Sequence, residues 1–165
     1  MKLRGRVCAV LGDNIDTDII YPGRYLNITD REKTAEHLFE LAYPEIRLAL
    51  QPGEFVVAGR NFGCGSSREQ AAAALKYARA GAVIAASFAR IFFRNEINLG
   101  LPAVVAPQAA LACAAGDKLE LDLAEGRICN LTRNEWIEAA PLDPRAVELL
   151  AAGGLIPYLK RKYAA

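Results

Sequence analysis

Between residues 54 and 106 the chain repeats one pattern: a short apolar run, a stretch with helical spacing, then another apolar run. The apolar runs are Phe55-Val56-Val57-Ala58, Ala82-Val83-Ile84-Ala85-Ala86 and Pro102-Ala103-Val104-Val105-Ala106. Each is short for a helix and too continuous for a strand with one wet face, so each predicts a strand buried on both faces. Residues 67–79 and 88–100 read as the helices between them. A strand–helix–strand–helix–strand order favours right-handed crossovers and a parallel sheet. The chain is therefore expected to be α/β, with a mostly parallel central sheet.

The flanking segments add to this frame. Residues 3–11 predict a first strand. Thr29 or Asp30 can cap a helix over about 31–42, with Leu38, Leu41 and Ala42 as its apolar face. Pro44 breaks that helix and opens a short turn through Ile46, Leu48 and Leu50. Gly81 is expected as the left-handed glycine ending the 67–79 helix, and Ser87 as the cap of the next one. A short helix is expected over 108–115. Residues 117–123 alternate strictly, and Ala124-Glu125-Gly126-Arg127 turns them back into Ile128–Thr132 as a hairpin. Asp143-Pro144 starts a helix with a cap and a proline at its first position, and Gly153-Gly154 stops it. Leu155–Tyr163 closes the chain as an amphipathic helix. No repeat, linker or boundary interrupts the pattern, so residues 1–165 are expected to form one three-layer α/β domain.

Composition excludes several functions. Apolar residues make up 53% of the 165, enough for a core without staples. A net charge of +1 gives no basic field for nucleic acid and no polybasic membrane patch. Met1–Arg6 is basic but leads into no long apolar stretch, so a cytoplasmic protein is expected. The cysteines, at positions 8, 64, 113 and 129, include no C-x-x-C pair, and His37 is the single histidine. That inventory lacks the usual ingredients of a self-contained zinc or iron–sulfur site. Cys8, Cys113 and Cys129 are expected to be small buried hydrophobes, and His37 a structural residue near a helix surface. Cys64 differs, because it lies inside a glycine-rich turn.

That turn, Gly59-Arg60-Asn61-Phe62-Gly63-Cys64-Gly65-Ser66-Ser67-Arg68-Glu69-Gln70, joins an expected strand to an expected helix. Its glycines permit close backbone approach to a ligand. Ser66-x-x-Glu69 matches a capping box with Ser66 as the cap. The free N–H groups of the helix start, its positive dipole end and Arg68 all favour an anion. The lysine of the phosphate-binding P-loop, the third glycine of the dinucleotide fingerprint and the G-x-S-x-G elbow are all missing. What remains is a carboxylate or phosphate pocket. Arg68 either grips a carboxylate as a fork or holds one serine as an alkoxide. Cys64 and Gly65 are candidates to touch the ligand. The loop Gly12-Asp13-Asn14-Ile15-Asp16-Thr17-Asp18 is rich in turn formers and does not fit a calcium loop, because its glycine and glutamate positions are wrong.

Four segments appear in one order: Gly12–Asp18, Tyr25-Leu26-Asn27, Asn61–Glu69 and Ser87–Asn95. Together they resemble the small subunits of isopropylmalate isomerases (3-isopropylmalate dehydratases), in the aconitase superfamily. The resemblance implies a swivelling β/β/α domain like the C-terminal domain of aconitase. It implies a large-subunit partner, in a heterodimer or heterotetramer, carrying a [4Fe–4S] cluster, with no cofactor held by this chain. It places a proton-transferring base at Ser66 and a residue that stabilises that serine and binds substrate carboxylate at Arg68. Ser67 falls in the same substrate-binding turn, and Asp18 at an aspartate supporting acid–base chemistry on the hydroxyl side. The implied reaction moves water on a small hydroxy-dicarboxylate, from 2-isopropylmalate through isopropylmaleate to 3-isopropylmalate, in leucine biosynthesis.

The position after Tyr25-Leu26 varies with substrate among such proteins. Homoaconitases and aconitases place an arginine there for an additional carboxylate. Asn27-Ile28 is uncharged and suits an alkyl substituent better, although Arg24 is close by. Homoaconitate and dimethylmalate or methylmalate substrates stay open alternatives. A carboxylate-binding module acting without a cluster partner is the remote one.

Overall fold

A computed structural model describes residues 1–164. The strands are β1 (Lys2–Val10), β2 (Phe55–Ala58), β3 (Ala82–Ala85), β4 (Ala103–Val105), β5 (Lys118–Asp122), β6 (Arg127–Asn130) and β7 (Glu135–Glu138). The helices are α1 (Thr17–Ile20), α2 (Arg31–Glu36), α3 (Pro44–Ala49), α4 (Glu69–Tyr77), α5 (Arg90–Leu99), α6 (Ala109–Ala112), α7 (Pro144–Ala152) and α8 (Leu155–Tyr163), with a 3-10 turn at Gly23–Tyr25.

The strands form one sheet in the order β4-β3-β2-β1-β5-β6-β7. β1 to β4 are parallel neighbours, as the apolar runs predict. The pairs β1–β5, β5–β6 and β6–β7 are antiparallel, so the sheet is evenly mixed rather than mostly parallel. The difference is β7, which extends the expected hairpin by one strand. Its sequence, Glu135-Trp136-Ile137-Glu138, buries only Ile137 and so carries almost no periodic signal. β1 changes partner along its length. Lys2–Arg6 pair with β5, whereas Val7, Ala9 and Val10 pair with β2, with a register shift between Val7 and Ala9.

The parallel strands are buried on both faces. Val56, Ala58, Val83 and Ala85 point into one core cluster with Leu75, Tyr21 and Phe39. Phe55, Val57, Ala82 and Ile84 point into the other, with Leu119, Leu121 and Leu149. Side chains that alternate between two dry layers explain why these runs read as continuously apolar.

Two expected boundaries move. The helix expected over 31–42 ends at Glu36, and Phe39 takes a left-handed conformation (φ 55). The chain turns there to bury Leu38 and Phe39 completely, with Phe39 N–H donating to Ile20 O at 2.8 Å. Leu41 is consequently exposed. After α4 the left-handed residue is Arg79, not Gly81. Gly81 is needed for a different reason: a Cβ there would collide with the backbone of Gly53. Among the described residues no helix is long and apolar enough to cross a membrane.

Candidate active site

Residues 59–68, between β2 and α4, are held by two neighbouring segments. From the Asp/Asn loop, Asp13 Oδ1 accepts from Arg60 N–H at 2.7 Å, and Asn14 Oδ1 accepts from the Asn61 side chain at 3.0 Å. Ile15 O accepts from Gly63 N–H at 2.8 Å, and Thr17 N–H donates to Cys64 O at 2.9 Å. From the other side, Ser87 Oγ accepts from Asn61 N–H at 2.8 Å, and Ala89 N–H donates to Phe62 O at 2.8 Å. The turn-forming residues at 13–16 therefore brace the glycine turn rather than face water alone. Gly63 is positive in φ (76), and a Cβ there would strike the Phe92 ring.

Both capping expectations at this site are overturned. Ser66 does not cap α4. The cap position is Arg68, extended at φ −125 and ψ 114, and no side chain caps the helix. Tertiary bonds win over the local pattern: Thr17 Oγ1 donates to Ser66 O at 3.0 Å, and Arg68 Nη1 pairs with Asp18. Ser87 does not cap α5 either. Its hydroxyl serves Asn61, and Ala89 takes the cap position without a side-chain bond.

The consequence is electrostatic. Two helix N-termini, both open, end at one cavity of about 290 Å³. Gly65, Ser66, Ser67 and Arg68 line it from the α4 side. Thr17 lines it from α1, and Arg90, Ile91 and Phe92 from α5. The lining contains two guanidinium groups and no carboxylate. Partial positive charge at each helix end adds to those cations, so the cavity is built for an anion. Hydroxyls of Ser66, Ser67 and Thr17 supply neutral donors and acceptors.

The expected residues fall in three places. Ser66, Ser67, Arg68 and Gly65 come together at the cavity. Asp18 lies behind Arg68, bonding its guanidinium and accepting from Gly23 N–H at 3.1 Å. Cys64, Asn27 and Ile28 do not line the cavity. Cys64 is held by its carbonyl to Thr17, and Asn27–Ile28 follow the 3-10 turn, where Ile28 N–H donates to Tyr25 O at 3.0 Å. Thr17, Arg90, Ile91 and Phe92 were not expected at the site. Periodicity marks 88–100 as a helix but carries no sign of which helix end meets a turn far away in sequence. Among the described residues no three His, Cys, Asp or Glu side chains gather as metal ligands.

Comparison with known proteins decides the family. Residues 14–109 match the aconitase C-terminal domain. The 3-isopropylmalate dehydratase small subunit of Moorella thermoacetica is 52% identical over 98% of this chain and 97% of its own length. The chain belongs to the 3-isopropylmalate dehydratase small-subunit family. The solved structure of 3-isopropylmalate dehydratase from Methanocaldococcus jannaschii superposes with a TM-score of 0.91 at 43% identity, covering 99% of this chain and 96% of that one. It bears out the expected α/β swivelling-domain architecture. A methanogen homoaconitase small subunit, from Methanothermobacter thermautotrophicus, is 48% identical over 96% of this chain and 91% of its own length. Overall identity therefore separates the two substrate types poorly within the family. The aconitase match takes in the bracing loop from Asn14 on, the glycine turn and α5, but not β1 or the β5–β7 meander.

Proposed function

We propose that this chain is the small subunit of a hydro-lyase that interconverts 2-isopropylmalate and 3-isopropylmalate in leucine biosynthesis. A large subunit would complete the site, and its iron–sulfur cluster would supply a Lewis acid for the departing hydroxyl. The observation that carries the reading is the state of Ser66. It does not cap α4, which starts after Arg68 without a side-chain cap, and it lines the cavity beside Arg68. A serine base needs strong positive potential, which two helix N-termini and Arg68 supply.

In this reading Ser66 Oγ takes a proton from C3 of 2-isopropylmalate while the hydroxyl leaves C2 and takes a second proton from the acid on its own side, giving isopropylmaleate and water. Water then returns as hydroxyl at C3, giving its extra proton back to the acid–base group on that side, and Ser66 gives its proton to C2. Arg68 stabilises the serine and grips a substrate carboxylate, with Ser67 and the Gly65 backbone lining the same anion pocket. Arg68 is engaged by Asp18 here, so substrate must share or replace that partner. The Asp18 side chain is 58% exposed, which makes the exchange inexpensive. Asp18 then acts on the hydroxyl side of the reaction. Cys64 would touch substrate only if the turn shifts. Asn27 and Ile28 would meet the alkyl substituent from the loop beyond Arg68, and their lack of charge favours isopropylmalate over homoaconitate.

The test is a substrate panel on the oxygen-free complex with its large subunit: 2-isopropylmalate, homocitrate and 2-methylmalate. Turnover of 2-isopropylmalate with the highest kcat/KM is expected. Preference for homocitrate would transfer the chain to the homoaconitase reading, and a wild-type complex idle on all three would refute the hydro-lyase reading.

A further inference from the structure

The loop that carries Asn27 and Ile28 is anchored on its far side by a cluster with no part in the chemistry above. At its centre is Glu40, after α2. Its Oε1 accepts from the Tyr25 hydroxyl at 3.1 Å and lies 3.5 Å from Arg24 Nη2. Its Oε2 is 2.9 Å from His37 Nδ1. The His37 ring stacks on Tyr25 at 3.6 Å between centroids and 13° between planes, and the Arg24 guanidinium lies over the same Tyr25 ring at 4.8 Å. Fully buried Tyr21 adds a bond from its hydroxyl to Tyr25 O at 2.8 Å.

Burial opposes ionisation of Glu40, but the bonds from His37 and Tyr25 and the charge of Arg24 outweigh it and hold its carboxyl below the usual range. It is therefore a carboxylate, which only accepts, so Nδ1 of His37 carries the hydrogen. The held segment is short. Gly23 N–H bonds Asp18, and a Cβ at Gly23 would meet the Arg68 guanidinium at 2.8 Å. Gly23–Tyr25 is thus wedged between the Arg68–Asp18 pair of the cavity and the Glu40 cluster, with Asn27–Ile28 following directly.

We propose that Glu40 is a positioning residue for substrate selection: by fixing Tyr25, Arg24 and His37 it sets how far Asn27 and Ile28 reach towards the substituent on the substrate. This rests on the reading that the loop faces that substituent. Three partners on one carboxylate leave the loop one seating, and a binding wall held in one place discriminates by size.

The experiment uses the complete two-subunit enzyme and compares kcat/KM for 2-isopropylmalate and 2-methylmalate. Glu40→Gln removes the charge at constant shape. The ratio of the two kcat/KM values is expected to fall roughly tenfold, the scale on which a hydrophobic wall separates alkyl groups. The change should come through a higher KM for 2-isopropylmalate, with kcat within about twofold. Tyr25→Phe keeps the ring stack and removes one bond, so it should shift the ratio the same way by less. A purely structural role would lower thermal stability and leave the ratio alone. That outcome overturns the proposal, and if Glu40→Gln does not fold, an unchanged ratio in Tyr25→Phe overturns it equally. A wild-type complex inactive on both malates would instead sink the underlying function, which keeps the two failures distinct.

Discussion

An ordinary serine hydroxyl is a poor base, and in the proposed reaction the residues around Ser66 would address that weakness. Arg68 brings a full charge, and the open ends of α4 and α5 each bring about half of one. Because Ser66 does not cap α4, a role in folding and the proposed role in chemistry are separable. Ser66→Ala should lower turnover of the assembled enzyme by about 10²–10⁴-fold, the usual contribution of a positioned acid or base. It should leave urea-unfolding stability within about 0.5 kcal/mol. A stability loss near 1 kcal/mol without loss of rate would be the signature of a lost cap and would reverse the assignment. The grouping of Ser66, Ser67 and Arg68 at the cavity was legible in the sequence, since they stand in one short motif. Their conformation was not. Ser-x-x-Glu is a local rule, whereas Thr17 and Asp18, which pull the backbone at 66–68 away from a capping geometry, lie about fifty positions earlier in the chain.

At the scale of elements, α5 holds an unusual side chain. Glu96, one turn after the cavity-lining Phe92, is fully buried, and neither carboxylate oxygen has a hydrogen-bond partner. Burial pushes its carboxyl well above the usual range, so the folded protein keeps the proton. The sign of the pH effect follows. Above the unfolded value of about 4.3 the unfolded chain releases this proton while the folded chain retains it, so stability declines as pH rises towards the folded pKa. Glu96→Met removes both the unsatisfied group and the linkage. It should raise stability by about 1–3 kcal/mol at pH 8 and by less at pH 5, read from urea unfolding at the two pH values. An equal effect at both would show that Glu96 has a partner in solution. The helix itself was legible as the stretch 88–100, as were β2, β3, β4, α7 and α8. Strong apolar periodicity and clear stops mark all of them. The length of α2 and the existence of β7 were not legible, because one is decided by where Phe39 can be buried and the other by pairing with β6.

Across the whole molecule, the candidate site is an open cavity lined by cations and hydroxyls. It is seated where the parallel half of the sheet delivers the ends of β2 and β3 to the starts of α4 and α5. The antiparallel half contributes nothing to the cavity, which fits an aconitase match that stops before β5. Both halves nevertheless meet in β1, whose first residues pair with β5 and whose last pair with β2. That arrangement has a consequence in time. Arg4 and Glu120 are 116 positions apart, so the first half of β1 waits for a far longer loop to close than any pairing among β2, β3 and β4. In refolding followed by pulsed hydrogen exchange, amides of β3 should become protected before those of Leu3 and Gly5. Simultaneous protection would mean that the sheet closes as one unit. On the ribosome the same geometry leaves the Lys2–Arg6 half-strand without this neighbour until β5 has been made. Lys2, Arg4 and Arg6 alternate along that stretch, and charges so placed on an unpaired edge keep a nascent chain from joining the edge of another.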